Sequence, residues 1–383
     1  MTSLYMDTLT HTFMGWTLSR AGLDRFGRWV APTMMVAANL PDAEIPLLFG
    51  DKINYFVHHR GITHSLLGLG FEAFMLTSAV FAITRYWRPS TQSEQTPAAN
   101  SSKRPGILPI FLVCAIGLLS HLALDGLNTY GVRPFLPFSE RWYYGDVLFI
   151  LDPWTWLILG GSLYLGSSPD RTTRWGWALL CGLASAVIFF AGGAGRIPWT
   201  VFAVWSALIV TIAILKWKPL NFSETSRLAR ATTRIGLAVW VMYVALIFAA
   251  SRNATLTAME QHYQSYHASE QIEKTSALPA PGIPWRFIVV LQTESQIFAY
   301  SADVLEGKVR FKERLDRRLT CAAAPAIQTT REFHAWEVFA RHPCCECDQN
   351  AVTLDDARFK VMGTDWFSMK ISRADKENAD SAR

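Results

Sequence analysis

Histidine and aspartate recur in this sequence at spacings that suit metal chemistry. His121 and Asp125, in SHLALDG, stand four residues apart. Residues at that spacing share one face of a helix, with Cβ atoms about 5–6 Å apart, so both can reach one ion. Asp7 and His11 repeat the spacing in MDTLTH, and Asp42 closes NLPD. His58, His59 and His64 crowd HHRGITHS, just before a long apolar run. Neutral imidazole and carboxylate are the usual ligands of catalytic zinc and related divalent ions. The candidate ligands are therefore Asp7, His11, Asp42, His59, His64, His121 and Asp125, and the implied cofactor is a divalent metal, zinc first.

Two further residues are candidates for the chemistry itself. Arg60, beside His59, could pair bidentately with a phosphate, or anchor the chain at a membrane interface. Asp152 precedes Pro153 near the start of an apolar run. It could ligate metal, orient a ligand histidine, or cap the helix that follows. Each position taken alone has a structural reading too. Asp7 could be an N-cap, Asp42 a turn residue, and Thr63 the cap of the next helix. What capping alone does not predict is that all four clusters fall at similar depth on one side of the elements that carry them.

Those elements read as membrane helices. Half of the 383 residues are hydrophobic, 17% are charged, and 15 are Trp. That composition describes a polytopic membrane protein with a polar appendage. A span needs about 17–25 mostly apolar residues. Runs at 65–84, 107–124, 147–166, 175–194, 198–216 and, more weakly, 234–251 qualify. Segments 6–22 and 29–40 form two further short helices, either tilted spans or a re-entrant hairpin. The expected fold is mainly α: a bundle of about six to eight membrane helices over residues 1–251, followed by a small α+β domain over 252–383. Residues 88–106, rich in Ser, Pro, Gln and Asn, read as a flexible loop. In the tail, WRFIVVLQ, QIFAYSADVLEGKVRFKERL, AVTLDDARF and WFSMKI read as strands and REFHAWEVFARH as a helix. Cys321, Cys344, Cys345 and Cys347 lack the paired spacing of a structural zinc site and could form up to two disulfides outside the cytoplasm.

Charge sorts the loops. Arg20, Arg25, Arg28, Arg85, Arg88, Lys103, Arg104, Arg171, Arg174 and the cluster from Lys216 to Arg234 fall in one set of connections. The other set holds far fewer basic residues, and the positive-inside rule places it outside the cytoplasm. The His and Asp clusters, and the tail by alternation, then lie at the outer face. No basic stripe with interleaved aromatics points to nucleic acid. Membrane lipids are the expected partners, with a lipid or lipid-linked substrate.

The run MDTLTH, NLPD, HRGITHS, SHLALDGLNTYG and LD resembles the YdjM-like (YbcI-type) family of inner-membrane proteins, described as membrane-bound metal-dependent hydrolases. The motifs cover residues 6 to about 155. The family is in turn distantly similar to zinc-dependent phospholipases C and single-strand-specific zinc nucleases, helical enzymes that hold zinc with His and Asp. By that resemblance His121 and Asp125 match a ligand pair of the HxxxD type, and His11, Asp42 and His64 match an early His, a following Asp and a later His. Those soluble enzymes also use an N-terminal amine and an HxxxE pair; Met1 lies too early for the first role, none of the motifs quoted above supplies the second, and Asp7 or Asp152 would fill the vacancy. The resemblance implies a metal-dependent hydrolase of the inner membrane, acting on a phosphodiester or lipid-linked substrate at the outer face. An ion or solute transporter, or a non-catalytic membrane organiser, is the alternative, because intramembrane His and Asp also mark transport pathways.

Overall fold

The computed structural model describes residues 8–48, 51–86, 105–167, 171–195, 197–217, 227–266, 271–317, 319–323 and 325–372. Asp7 and nearly all of the 88–106 loop lie outside the described residues. In chain order the elements are α1 (Thr8–Arg20), α2 (Val30–Ala37), α3 (Lys52–His58), α4 (Leu66–Tyr86), α5 (Ile107–Gly126), α6 (Pro153–Leu165), α7 (Arg171–Gly193), α8 (Trp199–Trp217) and α9 (Arg227–Tyr266). Then come β1 (Lys274–Ala280), β2 (Ile283–Gln292), β3 (Gln296–Asp303), β4 (Lys308–Asp316), α10 (Pro325–Gln328), α11 (Arg331–Phe339), β5 (Pro343–Cys347), β6 (Ala351–Asp356), α12 (Ala357–Lys360) and β7 (Met369–Ser372). Short 3-10 turns cover Pro41–Leu48 and Ile62–His64.

The chain divides into two compact units. The first takes residues 1–43, 62–144 and 150–245, and the second takes 44–61, 145–149 and 246–383. The expected boundary near 251 thus falls within α9, and two short stretches from the helical region join the C-terminal unit.

In the first unit, five helices among the described residues are long and apolar enough to cross a membrane: α4, α5, α7, α8 and, in part, α9. The sequence reading expects about six to eight. The difference lies in the short elements. α1 and α6 have 13 residues each and α2 has 8, whereas a span needs about 20. The apolar run 147–166 becomes a helix only from Pro153, because Asp152 in extended conformation caps it there. The long helices carry apolar residues outward: Phe71, Phe74 and Ile83 on α4 are exposed, as are Leu179, Leu183 and Phe190 on α7. Helices apolar all round suit lipid rather than water.

α2 sits at the centre of the ligand-bearing helices, and two glycines let its neighbours approach. A Cβ on Gly15 of α1 would stand 2.6 Å from the Met34 carbonyl oxygen, and one on Gly117 of α5 would stand 2.6 Å from Ala37 Cβ. Small residues at helix contacts are how membrane helices pack closely. Ala37, Leu69, Ala73 and Leu118 close the interface among α2, α4 and α5.

In the second unit, β1 to β4 form an antiparallel sheet in sequence order and β5 to β7 a three-stranded one. Leu278, Val290, Ile297 and Ala299 of the first sheet share a core with Cys344, Ala357 and Val361. α3 belongs here because Phe56 seats its ring 5.1 Å from that of Phe339 and 4.7 Å from that of Phe367. Asp146 belongs here through Arg341, at 2.9 Å. The tail matches the expected α+β class, with β1 and β5 as added strands. Cys347 is disulfide-bonded, whereas Cys344 and Cys345 are free and buried. Burial, reinforced by Asp355, pushes the Cys345 thiol up to about 12, so it is a packing residue rather than a nucleophile.

Candidate metal centre

Four side chains of the first unit converge. His64 Nε2 lies 3.3 Å from Asp42 Oδ1 and 3.3 Å from Asp125 Oδ2. His121 Nε2 lies 3.4 Å from Asp125 Oδ2 and 3.8 Å from Asp42 Oδ1. The two imidazole Nε2 atoms are 3.1 Å apart. One ligand atom from each residue falls within 4.8 Å of all the others. Ligands held at about 2.0–2.2 Å by a tetrahedral ion lie about 3.3–3.6 Å from each other, and the His–Asp separations, from 3.3 to 3.8 Å, are close to that spacing.

The backbone explains how they meet. The 3-10 turn that starts at Pro41, a few residues after the end of α2, carries Asp42. His64 ends the short turn before α4. There Ser65, rather than Thr63, caps α4 by accepting from Gly68 N at 3.0 Å. His121 and Asp125 project from one face of α5, a full turn apart. Gly117, one turn earlier on the same face, sets the distance from α2 to the His121 ring.

The imidazoles are aimed. His121 Nδ1 stands 2.8 Å from the Ala38 carbonyl oxygen. A carbonyl can only accept, so Nδ1 carries the proton and Nε2 offers its lone pair to the cluster. Ala38 follows the last turn of α2, where helix carbonyls lack intrahelical partners. His64 Nδ1 is 2.9 Å from Thr63 Oγ1, which likewise leaves Nε2 toward the carboxylates. Metal-ligating histidines are held through their second nitrogen in this manner. No donor is aimed in hydrogen-bonding geometry at either oxygen of Asp42 among the described residues.

His64 and His121 are fully buried and Asp125 is 2% exposed. Two carboxylates out of water are costly unless a cation offsets them. Two neutral imidazoles and two carboxylates sum to a charge that one divalent ion balances. The donor set, spacing and orientation fit a metal ion.

Residues 6–195 match the YdjM inner membrane protein family. This segment belongs to that family. The YdjM segment contains all four converging residues and every span through α7. A further likeness is to the uncharacterised protein YfhP of Bacillus subtilis (strain 168), 24% identical over 178 residues. The match covers 44% of this chain and 49% of YfhP, so the chain spans about half the length of that relative. No solved structure matches.

The other candidates from the YdjM motifs are placed differently. His11 stands beside the four: its ring stacks on His121 with centroids 4.0 Å apart, and its Nε2 is 3.5 Å from Asp125 Oδ1. Asp7 lies outside the described residues. His59 belongs to the second unit, where its Nδ1 is 3.2 Å from Glu44 Oε1 and its ring stacks on Tyr55. Arg60 is fully buried with φ of 55°, and its N–H donates to the same Glu44 oxygen at 3.0 Å. Arg60, read from the sequence as a phosphate partner or an interfacial anchor, is thus a buried residue of the second unit. Asp152 is the N-cap of α6: its oxygens accept from Trp154 N, Thr155 Oγ1 and Tyr243 Oη at 2.9, 3.2 and 2.9 Å. Three donors thus engage the Asp152 carboxylate, as the helix-cap reading of this residue expects.

Sequence reasoning missed the orienting partners. The Ala38 carbonyl has no residue-type signal at all. Thr63 had one, its place next to His64, but reads equally as a cap. Glu44, two residues after Asp42, carries no spacing that ties it to His59.

Proposed function

We propose that this membrane protein is a metal-dependent hydrolase, with a zinc ion held by Asp42, His64, His121 and Asp125. The observation that carries the reading is the convergence of two imidazole Nε2 atoms and two carboxylates, one ligand atom from each within 4.8 Å of all the others. Nitrogen and carboxylate donors in that geometry suit zinc. When bound, such an ion supplies Lewis acidity, enough to polarise an ester oxygen and to acidify water to a pKa of about 7. The protein's own groups do the rest. The Ala38 carbonyl keeps the His121 imidazole in the ligating tautomer, and Thr63 holds the His64 ring with Nε2 toward the carboxylates. His11, against Asp125 Oδ1, is positioned to hold a proton beside the cluster, and its Nδ1 makes no hydrogen bond among the described residues. Burial excludes bulk water.

A phosphodiester or other ester carried on a lipid is the proposed substrate, since the ligands stand at the ends of membrane helices and sort with the outer face by loop charge. The similarity of the motifs to zinc phospholipases C supports the same class. The test is elemental analysis of detergent-purified protein, wild type beside His121→Ala. We expect about one equivalent of zinc in the first and a loss of at least tenfold in affinity in the second. Full occupancy in the variant overturns the ligand set, and a metal-loaded wild type inert toward phospholipid and phosphodiester esters overturns the hydrolase.

A further inference from the structure

A second feature of the first unit is independent of the metal cluster. A half-open cavity of about 260 Å³ lies among α1, α6, α7 and α8. Leu9, Phe13, Trp156, Trp177, Trp205 and Ile212 supply its walls. Leu9 and Phe13 stand four apart and so share one face of α1, while His11 points elsewhere.

The walls present rings, not donors. Trp156 Nε1 donates to Thr10 Oγ1 at 2.9 Å, and Trp205 Nε1 donates to Ser185 Oγ at 2.9 Å. Trp177 stacks on Trp16 with centroids 5.4 Å apart. With the Trp156 and Trp205 N–H groups already engaged, these walls offer water little to bind. An aliphatic chain is what such a space accepts.

One end is different. Arg174, at the start of α7, is the one charged residue among those lining the cavity. It is exposed and meets no carboxylate among the described residues. Beside it, Tyr164 lines the cavity, and Lys216 Nζ stands 5.7 Å from the Tyr164 ring while donating to the carbonyls of Leu165 and Ser167. Arg174 thus lines an apolar slot at the start of a span, with Lys216 near its Tyr164 wall. A guanidinium there matches a phosphate in shape and charge.

We propose that this cavity binds one anionic phospholipid, an acyl chain lying against Phe13 and Trp177 and the phosphate paired with Arg174. The site holds a lipid of the surrounding leaflet and does not depend on the hydrolase reading.

The test is native mass spectrometry of the full chain released from detergent with phosphatidylglycerol, phosphatidylcholine or oleate. Wild type should retain one phosphatidylglycerol with a preference of about tenfold over phosphatidylcholine. Arg174→Gln, a surface change, should bring the two lipids to parity. Ala213→Trp, which fills the cavity, should lose both. Cys181 also lines the cavity and carries a free thiol, so bound phosphatidylglycerol should slow its reaction with a membrane-permeant maleimide in wild-type protein, read by peptide mass. Equal retention of both phospholipids by wild type, an unchanged preference in Arg174→Gln, retention of oleate in place of phospholipid, or no protection of Cys181 would each overturn the proposal.

Discussion

His64 and His342 show how the surroundings of an imidazole set what it can do. Thr63 Oγ1 meets His64 Nδ1 at 2.9 Å, and removing such an orienting partner costs about 10–100-fold in metal affinity. Thr63→Val keeps the shape and deletes the oxygen, so zinc competition titration should show a loss in that range with the helices intact. An unchanged affinity would mean that packing alone orients the ring. His342, in the second unit, is held neutral instead. Its Nδ1 meets Gln292 Oε1 at 3.0 Å and its Nε2 meets Ser276 Oγ at 2.6 Å. Burial pushes its pKa down to about 3, with Arg341, Arg358 and Lys274 adding to the effect against Asp356. The unfolded value is 6.5. Stability from this group is therefore present above pH 6.5 and lost as the pH falls toward 3, because the opened state takes up the proton first. Between pH 7 and pH 5 that amounts to about 2 kcal/mol. Hydrogen exchange at β1 and β2, corrected for intrinsic rate, should show that loss in wild type and not in His342→Gln. The histidine and aspartate ligands were legible as residue types at the residue scale. Their division into ligands, neighbours and caps was not, since Asp152 and Asp42 each sit next to a proline and only their donors distinguish them.

At the scale of elements, the cluster depends on how closely α1 and α5 approach α2. Gly15 lies four residues after His11, and Gly117 four before His121, each on its histidine's face. Gly117→Leu would place a side chain where a Cβ alone stands 2.6 Å from Ala37. Overpacking of this kind costs about 1–3 kcal/mol, and the expected result is separation of α5 from α2 and loss of the bond from His121 to Ala38. Zinc content should fall although no ligand has changed; undiminished content would show that the helices can re-pack without moving the ring. The long spans were legible because lipid demands about 20 apolar residues in a row. α1 and α2 were legible as short helices, but whether they or α6 span was not, because a short apolar helix reads the same whether it crosses a membrane or packs inside a bundle.

At the scale of the whole molecule, the loop charges predict that His11, His64 and His121 sort to one membrane face and that the C-terminal unit lies outside the cytoplasm. Single cysteines at Thr8, Ile62 and Leu127, in a background without other reactive thiols, should label from the same side with an impermeant maleimide in intact spheroplasts. Protease added to those spheroplasts should remove the region after Tyr266. Labelling of Ile62 and Leu127 from opposite sides would end the metal-centre proposal. What the sequence determined by itself was the membrane class, the polar α+β tail and the supply of imidazole and carboxylate at helical spacing, since each follows from composition or local periodicity. Only the tertiary structure decided which of these groups meet. Asp42 and His64 flank a stretch, residues 44–61, that belongs with the tail, and His121 and Asp125 arrive from a helix nearly sixty residues further on. Coordination depends on distances of a few ångströms between such segments, and those distances are set by glycines, helix ends and a backbone carbonyl that no spacing rule records.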